Sequence, residues 1–313
     1  MFRLAAVLFI FCLALCGVAG GQAKRPAAAA QSLRSITVAT EPGAAVWIDS
    51  VLFGKTGTDG KLVIRSVPAG NRTLRVLHDG SKEFRKLLGP AVKGEIAVKL
   101  TPTTDPAELA YQEAERMTSR DRQKAIAAFE KAISLRPKFP EAYLGLARTL
   151  SESGDFERAD KTIKALKKIK LVYPEASAVE GRIYKDVAEE AKAVATFKRA
   201  ITEGGGFQPE AYTGLGLLYK EKAENAGSAG DYADESANYT ESAKYLAAAA
   251  KQLASAPDAA VVYQLLGLTY EKQKRFPEAI RVYQEFLRLF PDSPEATAVQ
   301  SFIDQIRKQN REQ

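Results

Sequence analysis

VVYQLLGLTYEKQKRFPEAIRVYQEFLRLFPDS, residues 261–293, decides the fold. Tyr263, Leu266, Gly267 and Tyr270 fall on one face of a first helix, and Ala279, Tyr283 and Phe286 on one face of a second, with Pro291 closing the unit. Gly267 and Ala279 are small enough for two antiparallel backbones to approach, and the aromatic rings fill the space on either side. The stretch therefore reads as one helical hairpin.

The same pattern recurs toward the N-terminus. Ala125, Ala159 and Ala193 are 34 residues apart each time, and Phe129, Ile163 and Phe197 keep that step, as do Ala147 to Gly181 and Leu150 to Tyr184. Gly181 to Gly216 and Tyr184 to Tyr219 are 35 apart. Gly216 to Gly267 is 51, which implies an insertion of about 17 residues beyond the period. It falls within 221–240, rich in Ala, Ser, Gly and Asp, and should lengthen one or both helices of the fourth unit around a loop near Ala226 to Asp231.

A period of 34 carrying Gly or Ala, then Tyr, Ala, an aromatic and Pro resembles the tetratricopeptide repeat over residues 105–293, in five copies. The first copy lacks a residue between its helices, and Ile163 and Leu166 replace the usual aromatic and Ala in the second. The resemblance implies an all-α solenoid in which the first helix of each pair lines a concave groove. By register the groove would hold Tyr111 and Glu115; Leu144, Arg148 and Glu152; Ala178, Arg182 and Lys185; Thr213, Leu217 and Lys220; then Gln264, Leu268 and Glu271. Arg148, Arg182 and Lys185 would sit together on adjacent repeats, able to grip a carboxylate or an acidic peptide. The family's carboxylate clamp also uses Asn, which these positions lack. Residues 294–313, polar from Arg307 onward, are expected to form a helix capping the last hairpin.

At the other end, Arg3 precedes an apolar run from Leu4 to Leu15, shorter than the roughly 20 residues a bilayer requires. It reads as a secretory signal over residues 1–23, with cleavage options after Ala19, Gly20 or Ala23. The alternative is a lipoprotein signal ending at Cys16, and only that would attach the chain to a membrane. Either way the expected location is outside the cytoplasm, in the periplasm or on the cell surface. Both cysteines, Cys12 and Cys16, lie in this signal, so the mature chain would carry no internal disulfide and no thiolate metal site. Residues 24–34 form a tether rich in Ala and Gln.

Beyond the tether the hydrophobic period changes to two: Ile36 and Val38, Leu62 and Ile64, Leu74 and Val76, then Ile96, Val98 and Leu100. Pro42-Gly43, 57–60, 68–71 and Asp79-Gly80 supply turns. EPGAAVWIDSVLFGKT and VPAGNRTLRVLHDGSKEF, within 35–101, resemble the PEGA domain of bacterial envelope proteins, and the related carboxypeptidase regulatory-like sandwich fits equally. Ser50 stands where Gly usually follows the Asp, and Gly57 where Pro is usual. The fold class expected for the whole is thus a multidomain α and β chain, a small antiparallel β-sandwich followed by an all-α solenoid.

Charge separates the two parts. Residues 24–101 carry 13 Lys/Arg against 6 Asp/Glu, whereas residues 102–313 carry 31 against 32. A basic sandwich outside the cytoplasm could meet an anionic envelope polymer. Nucleic acid is not indicated: Trp47, the only Trp, lies in a strand without interleaved basic and aromatic residues. Chemistry finds little to work with. His78 is the single histidine, beside the Asp79-Gly80 turn; Gly204-Gly205-Gly206 ends a helix where a phosphate loop would begin one; Glu189-Glu190 sits where a helix dipole favours acids. No cofactor, metal or catalytic residue is expected. The reading is an exported non-catalytic scaffold that binds a protein or peptide partner in its groove, or else an envelope anchor acting through its β domain.

Overall fold

A computed structural model describes residues 34–68 and 70–312. The signal sequence and nearly all of the tether fall outside the described residues. Alternating apolar residues build seven strands: β1 (Arg34–Ala39), β2 (Ala45–Ile48), β3 (Val51–Lys55), β4 (Lys61–Val67), β5 (Arg72–Leu77), β6 (Phe84–Leu88) and β7 (Gly94–Ala97). One sheet has the order β4-β1-β7 and the other β3-β2-β5-β6. Ile36, Val38, Ile64 and Ile96 of the first meet Val46, Ile48, Leu74 and Val76 of the second, all buried, as the period of two requires.

The expected turns fall between successive strands, but three features were not legible. β2 and β3 form a hairpin whose two-residue turn is Asp49-Ser50, a turn without Gly or Pro that the sequence reading did not single out. Asp49 takes the left-handed conformation, φ 54°, that a short polar side chain tolerates. β6 shows no alternation, because Arg85, Lys86 and Leu87 are all exposed. β7 pairs with β1 in parallel, unlike every other strand pair described, because the chain crosses from one sheet to the other after β6. Arg34 belongs to β1, not to the tether: its guanidinium donates to the carbonyls of Gly89 and, at 2.9 Å, Gly70, holding the strand's start to two loops.

Eleven helices follow: α1 (Pro106–Met117), α2 (Arg122–Leu135), α3 (Pro140–Glu152), α4 (Phe156–Ile169), α5 (Pro174–Asp186), α6 (Glu190–Glu203), α7 (Pro209–Ser228), α8 (Tyr232–Leu253), α9 (Ala259–Lys272), α10 (Phe276–Leu289) and α11 (Ala296–Glu312). Proline opens α1, α3, α5 and α7, where its missing N–H is not needed. Asp105, Asp121, Asp155 and Asp231 cap α1, α2, α4 and α8 by accepting from backbone N–H groups. The first ten helices form five hairpins. Both helices of the fourth are long, 20 and 22 residues, with the turn at 229–231, as the insertion implied.

Small residues recur at equivalent crossings. A Cβ added at Gly181 would lie 2.6 Å from Phe197, at Gly267 2.2 Å from Tyr283, and at Gly216 2.7 Å from Leu246. The same rings also pack backward or forward onto the neighbouring hairpin: Phe129 lies against Gly145 and Phe197 against Gly214. Each ring thereby joins two repeats, and the buried apolar residues of the helices form three clusters in succession, over α1–α5, α5–α7 and α8–α11. α11 buries Val299, Ile303 and Ile306, and Phe302 meets Tyr283 at 5.8 Å between ring centroids, covering the last hairpin.

Candidate functional site

The inner helices α1, α3, α5, α7 and α9 carry the residues expected to form the groove. Arg148 on α3 and Arg182 on α5 do come together, but on a carboxylate of their own chain. Glu210, in the first turn of α7 where the helix dipole favours an acid, pairs with Arg148, and its other oxygen lies 4.0 Å from Arg182. Burial would lower the Arg148 guanidinium, yet Glu210 raises it above its ordinary value. Asp258 is pushed up, first by burial and then by Glu210. Arg182 Nη1 lies 3.6 Å from Glu152, while its Nε and Nη2 have no hydrogen-bond acceptor among the described residues.

The other expected site residues divide. Lys185 pairs with Asp186 at 3.0 Å and Lys220 with Glu224 at 2.6 Å, both along their own helices. Leu144 is only 7% exposed and belongs to the core. Tyr111 is buried as well, with its hydroxyl beside Arg75 and Glu115. At the C-terminal end Leu268 is 43% exposed, and Leu217 and Glu271 are half-buried.

Tyr111 and Leu144 are covered because the β domain lies over the first two repeats. Trp47 alternates with the buried Val46 and Ile48, so it points out of the sandwich, and it packs instead among the core residues of α1 to α5. Trp47, Asp49, Thr73, Arg75 and Arg85 face Tyr111, Glu115, Leu144, Arg148 and Glu152 across a cavity of about 340 Å³. Arg75 stacks on Trp47, 5.2 Å from the ring centroid, and donates to Glu83 through Nε at 3.1 Å and Nη2 at 2.6 Å. Arg85 pairs with Glu83 and, at 2.9 Å, with Glu141 at the start of α3. Gln112 on α1 donates to Ser81 O at 2.7 Å and accepts from Gly80 N at 2.8 Å, fastening the β5–β6 turn to the first repeat.

The far end of the β domain meets the loops that enter α7, α9 and α11. Arg72 stacks on Phe207 at 3.8 Å. Ser255 Oγ accepts from Ser66 N and donates to Ser66 O, each at 3.1 Å. Phe53 and Val63 face Leu289, Phe290 and Pro291 across a second cavity, of about 420 Å³. Trp47, Glu210, Phe207 and Ser255 were not among the expected site residues. Only Trp47 left a signal, a large apolar ring on the outer parity of a half-buried strand.

His78 is half-buried beside its turn, and among the described residues no group of His, Cys, Asp and Glu is placed to hold a metal ion. No helix of the described residues is long and apolar enough to cross a membrane. Residues 116–183 and 228–294 match models of the tetratricopeptide repeat. Among solved structures, yeast Tom70 is similar with a TM-score of 0.52 at 18% identity, over 66% of this chain and 41% of that one. MamA is similar with a TM-score of 0.41 at 19% identity, over 62% of this chain and 96% of that one. A thermophilic TPR protein of Thermus thermophilus gives 0.47 at 18%, over 64% and 98%. At such identities the likeness to Tom70 is one of fold, and the present chain spans less than half of it. Among curated proteins none matches in sequence.

Proposed function

We propose that this chain, whose residues 116–183 and 228–294 are tetratricopeptide repeats, is a non-catalytic adaptor that binds an acidic protein or peptide segment on the inner face of its middle repeats. One observation carries the reading. The Arg182 side chain is 28% exposed and keeps two buried guanidinium nitrogens without an acceptor among the described residues, Lys185 lies one turn further along α5, and Lys220 occupies the matching position of α7. A carboxylate-bearing segment would complete this basic row with charge-assisted hydrogen bonds, each contributing about 1.5–3 kcal/mol. Arg148 takes a different part, since Glu210 already engages it.

The test is binding of a decaglutamate peptide to the full chain. Arg182→Glu with Lys220→Glu should weaken it roughly tenfold or more, whereas Leu268→Ala should leave it nearly unchanged. Equal affinity in the charge-reversed chain would overturn the assignment.

A second reading makes the PEGA-like β domain an anchor on anionic envelope polymer. Its support is six exposed cations, Lys55, Arg65, Lys82, Lys86, Lys93 and Lys99, none in an ion pair among the described residues. Export to the periplasm or cell surface, through the signal or a lipidated Cys16, underlies both readings. Protein extracted from washed envelopes by salt should begin after Ala19, Gly20 or Ala23, and changing Lys86, Lys93 and Lys99 to Glu should release it at lower salt. Salt-independent retention of both forms counts against the polymer anchor, and an intact Met1 in the extracted protein counts against export.

A further inference from the structure

The cavity of about 340 Å³ between the β domain and the first repeats has the volume of a small-molecule site, about 300–1,000 Å³. Its walls are held in place beside it: Gln112 binds both Gly80 and Ser81, Glu108 accepts from Glu83 N at 3.1 Å, and Leu77 enters the core of the first repeats. The shape is fixed before anything enters.

Most of the charges that line this space are already matched. Asp49 pairs with Arg72 at 3.1 Å, Arg75 with Glu83 at 2.6 Å, Arg85 with Glu141 at 2.9 Å and Arg148 with Glu210, while Glu152 lies 3.6 Å from Arg182. Lys170 and Glu175, of opposite sign, have no ion pair among the described residues, and Lys170 sits 3.7 Å over the Tyr173 ring. Burial pushes the Glu115 carboxyl up, toward its neutral form. A charged ligand would have to break one of these pairs or face a like charge, whereas a neutral one meets neither cost.

What remains to be satisfied is neutral hydrogen bonding. Tyr173 is only 8% exposed and lines the cavity, yet its hydroxyl makes no hydrogen bond among the described residues. The Ser50 and Thr73 hydroxyls line the same space and likewise have no partner. Trp47 and Tyr173 add aromatic surface. A sugar ring matches this combination, because hydroxyls around its edge both donate and accept while its C–H face is apolar and packs on an aromatic ring. We infer that the cavity is a binding site for an uncharged sugar unit, with Trp47 and Tyr173 as aromatic walls and the Tyr173, Ser50 and Thr73 hydroxyls as polar contacts. The site is independent of the basic row, since Arg182, Lys185 and Lys220 do not line it.

Trp47 is the only Trp of the chain, so its emission reports on the cavity directly. Titrating the full chain with glucose, maltose and N-acetylglucosamine should give a saturable change in that emission with at least one of them. Glucuronate and glucosamine, the charged analogues, should bind more weakly than the best uncharged sugar by about fivefold or more. Tyr173→Phe keeps the ring and removes the unpartnered hydroxyl, and should weaken that sugar by about three- to tenfold. Leu268→Ala, outside the cavity, should leave its affinity unchanged. The matching hexamer, maltohexaose or chitohexaose, separates two sources of the same chemistry: equal affinity supports the end of a polysaccharide, and a loss of about tenfold supports a free sugar. No saturable response to any uncharged sugar, equal affinity for the charged analogues, or full affinity in the Tyr173→Phe chain would overturn the site.

Discussion

Phe197→Ala should lower the unfolding free energy of the full chain by about 3–5 kcal/mol, the range for deleting a fully buried ring. The reason is position as much as volume. Phe197 is buried between two glycines, Gly181 of its own hairpin and Gly214 of the next, so the ring is the packing element that joins the third repeat to the fourth. Two backbones have approached to ring-contact distance and cannot close further to fill the void. In a stack stabilised by nearest neighbours, losing that coupling should also split a single urea transition into two, with α1 to α6 and α7 to α11 melting apart. Leu171→Ala, on a side chain that is exposed, serves as the control and should change stability by less than about 0.5 kcal/mol. A Phe197→Ala chain that melts in one transition near the parent midpoint would contradict this account of the stack.

Glu83→Gln should cost a comparable amount, about 3–5 kcal/mol, because it removes the counter-charge of a buried arginine. The side chains of Arg75 and Glu83 are only 16% and 14% exposed and lie between the β domain and the first repeat. Burial alone would raise the Glu83 carboxyl, but hydrogen bonds and charge from Arg75, joined by Arg85, hold it below its ordinary value. A carboxyl lowered in the folded state contributes stability above its unfolded value, about 4.3, and loses that contribution as pH falls through the lower folded value. Glu115 has the opposite sign. Burial raises its carboxyl despite Arg148 and Arg75, so its contribution is fully present below the unfolded value and is lost as pH rises through the folded one. At pH 7, then, Glu83→Gln should lower the melting temperature and Glu115→Gln should raise it. Thermal melts of the two variants between pH 4 and 7 check both signs, and a shift in the same direction for both would refute the assignment.

The repeat architecture was legible because each hairpin announces itself locally. Gly267 and Tyr283, Gly181 and Phe197 are 16 residues apart in both hairpins, and the need of two helices for a small residue opposite a bulky apolar one, a ring in most copies, is the same throughout. The strands that alternate were legible for the same reason, whereas β6 was not, since three successive exposed residues carry no period. The β2–β3 hairpin hid behind a turn without glycine. Of the site, the meeting of Arg148 and Arg182 followed from register, while their shared carboxylate did not. Glu210 is 62 residues from Arg148 in the chain and looks, in sequence, like any acid at a helix start.

Sequence alone determined the local elements and their order: a two-period β region, then helix pairs with a period of about 34, a lengthened fourth pair and a polar final helix. Tertiary structure alone decided that the β domain lies against the inner face of the repeats, that Trp47 packs against their core, and that Ser66 reaches Ser255. The physical reason is range. Helix pairs are specified by residues a few turns apart that repeat their chemistry at every copy, so periodicity reveals them. The β domain meets the repeats through single, non-repeating contacts between residues as many as 189 positions apart, and no local pattern encodes such an encounter.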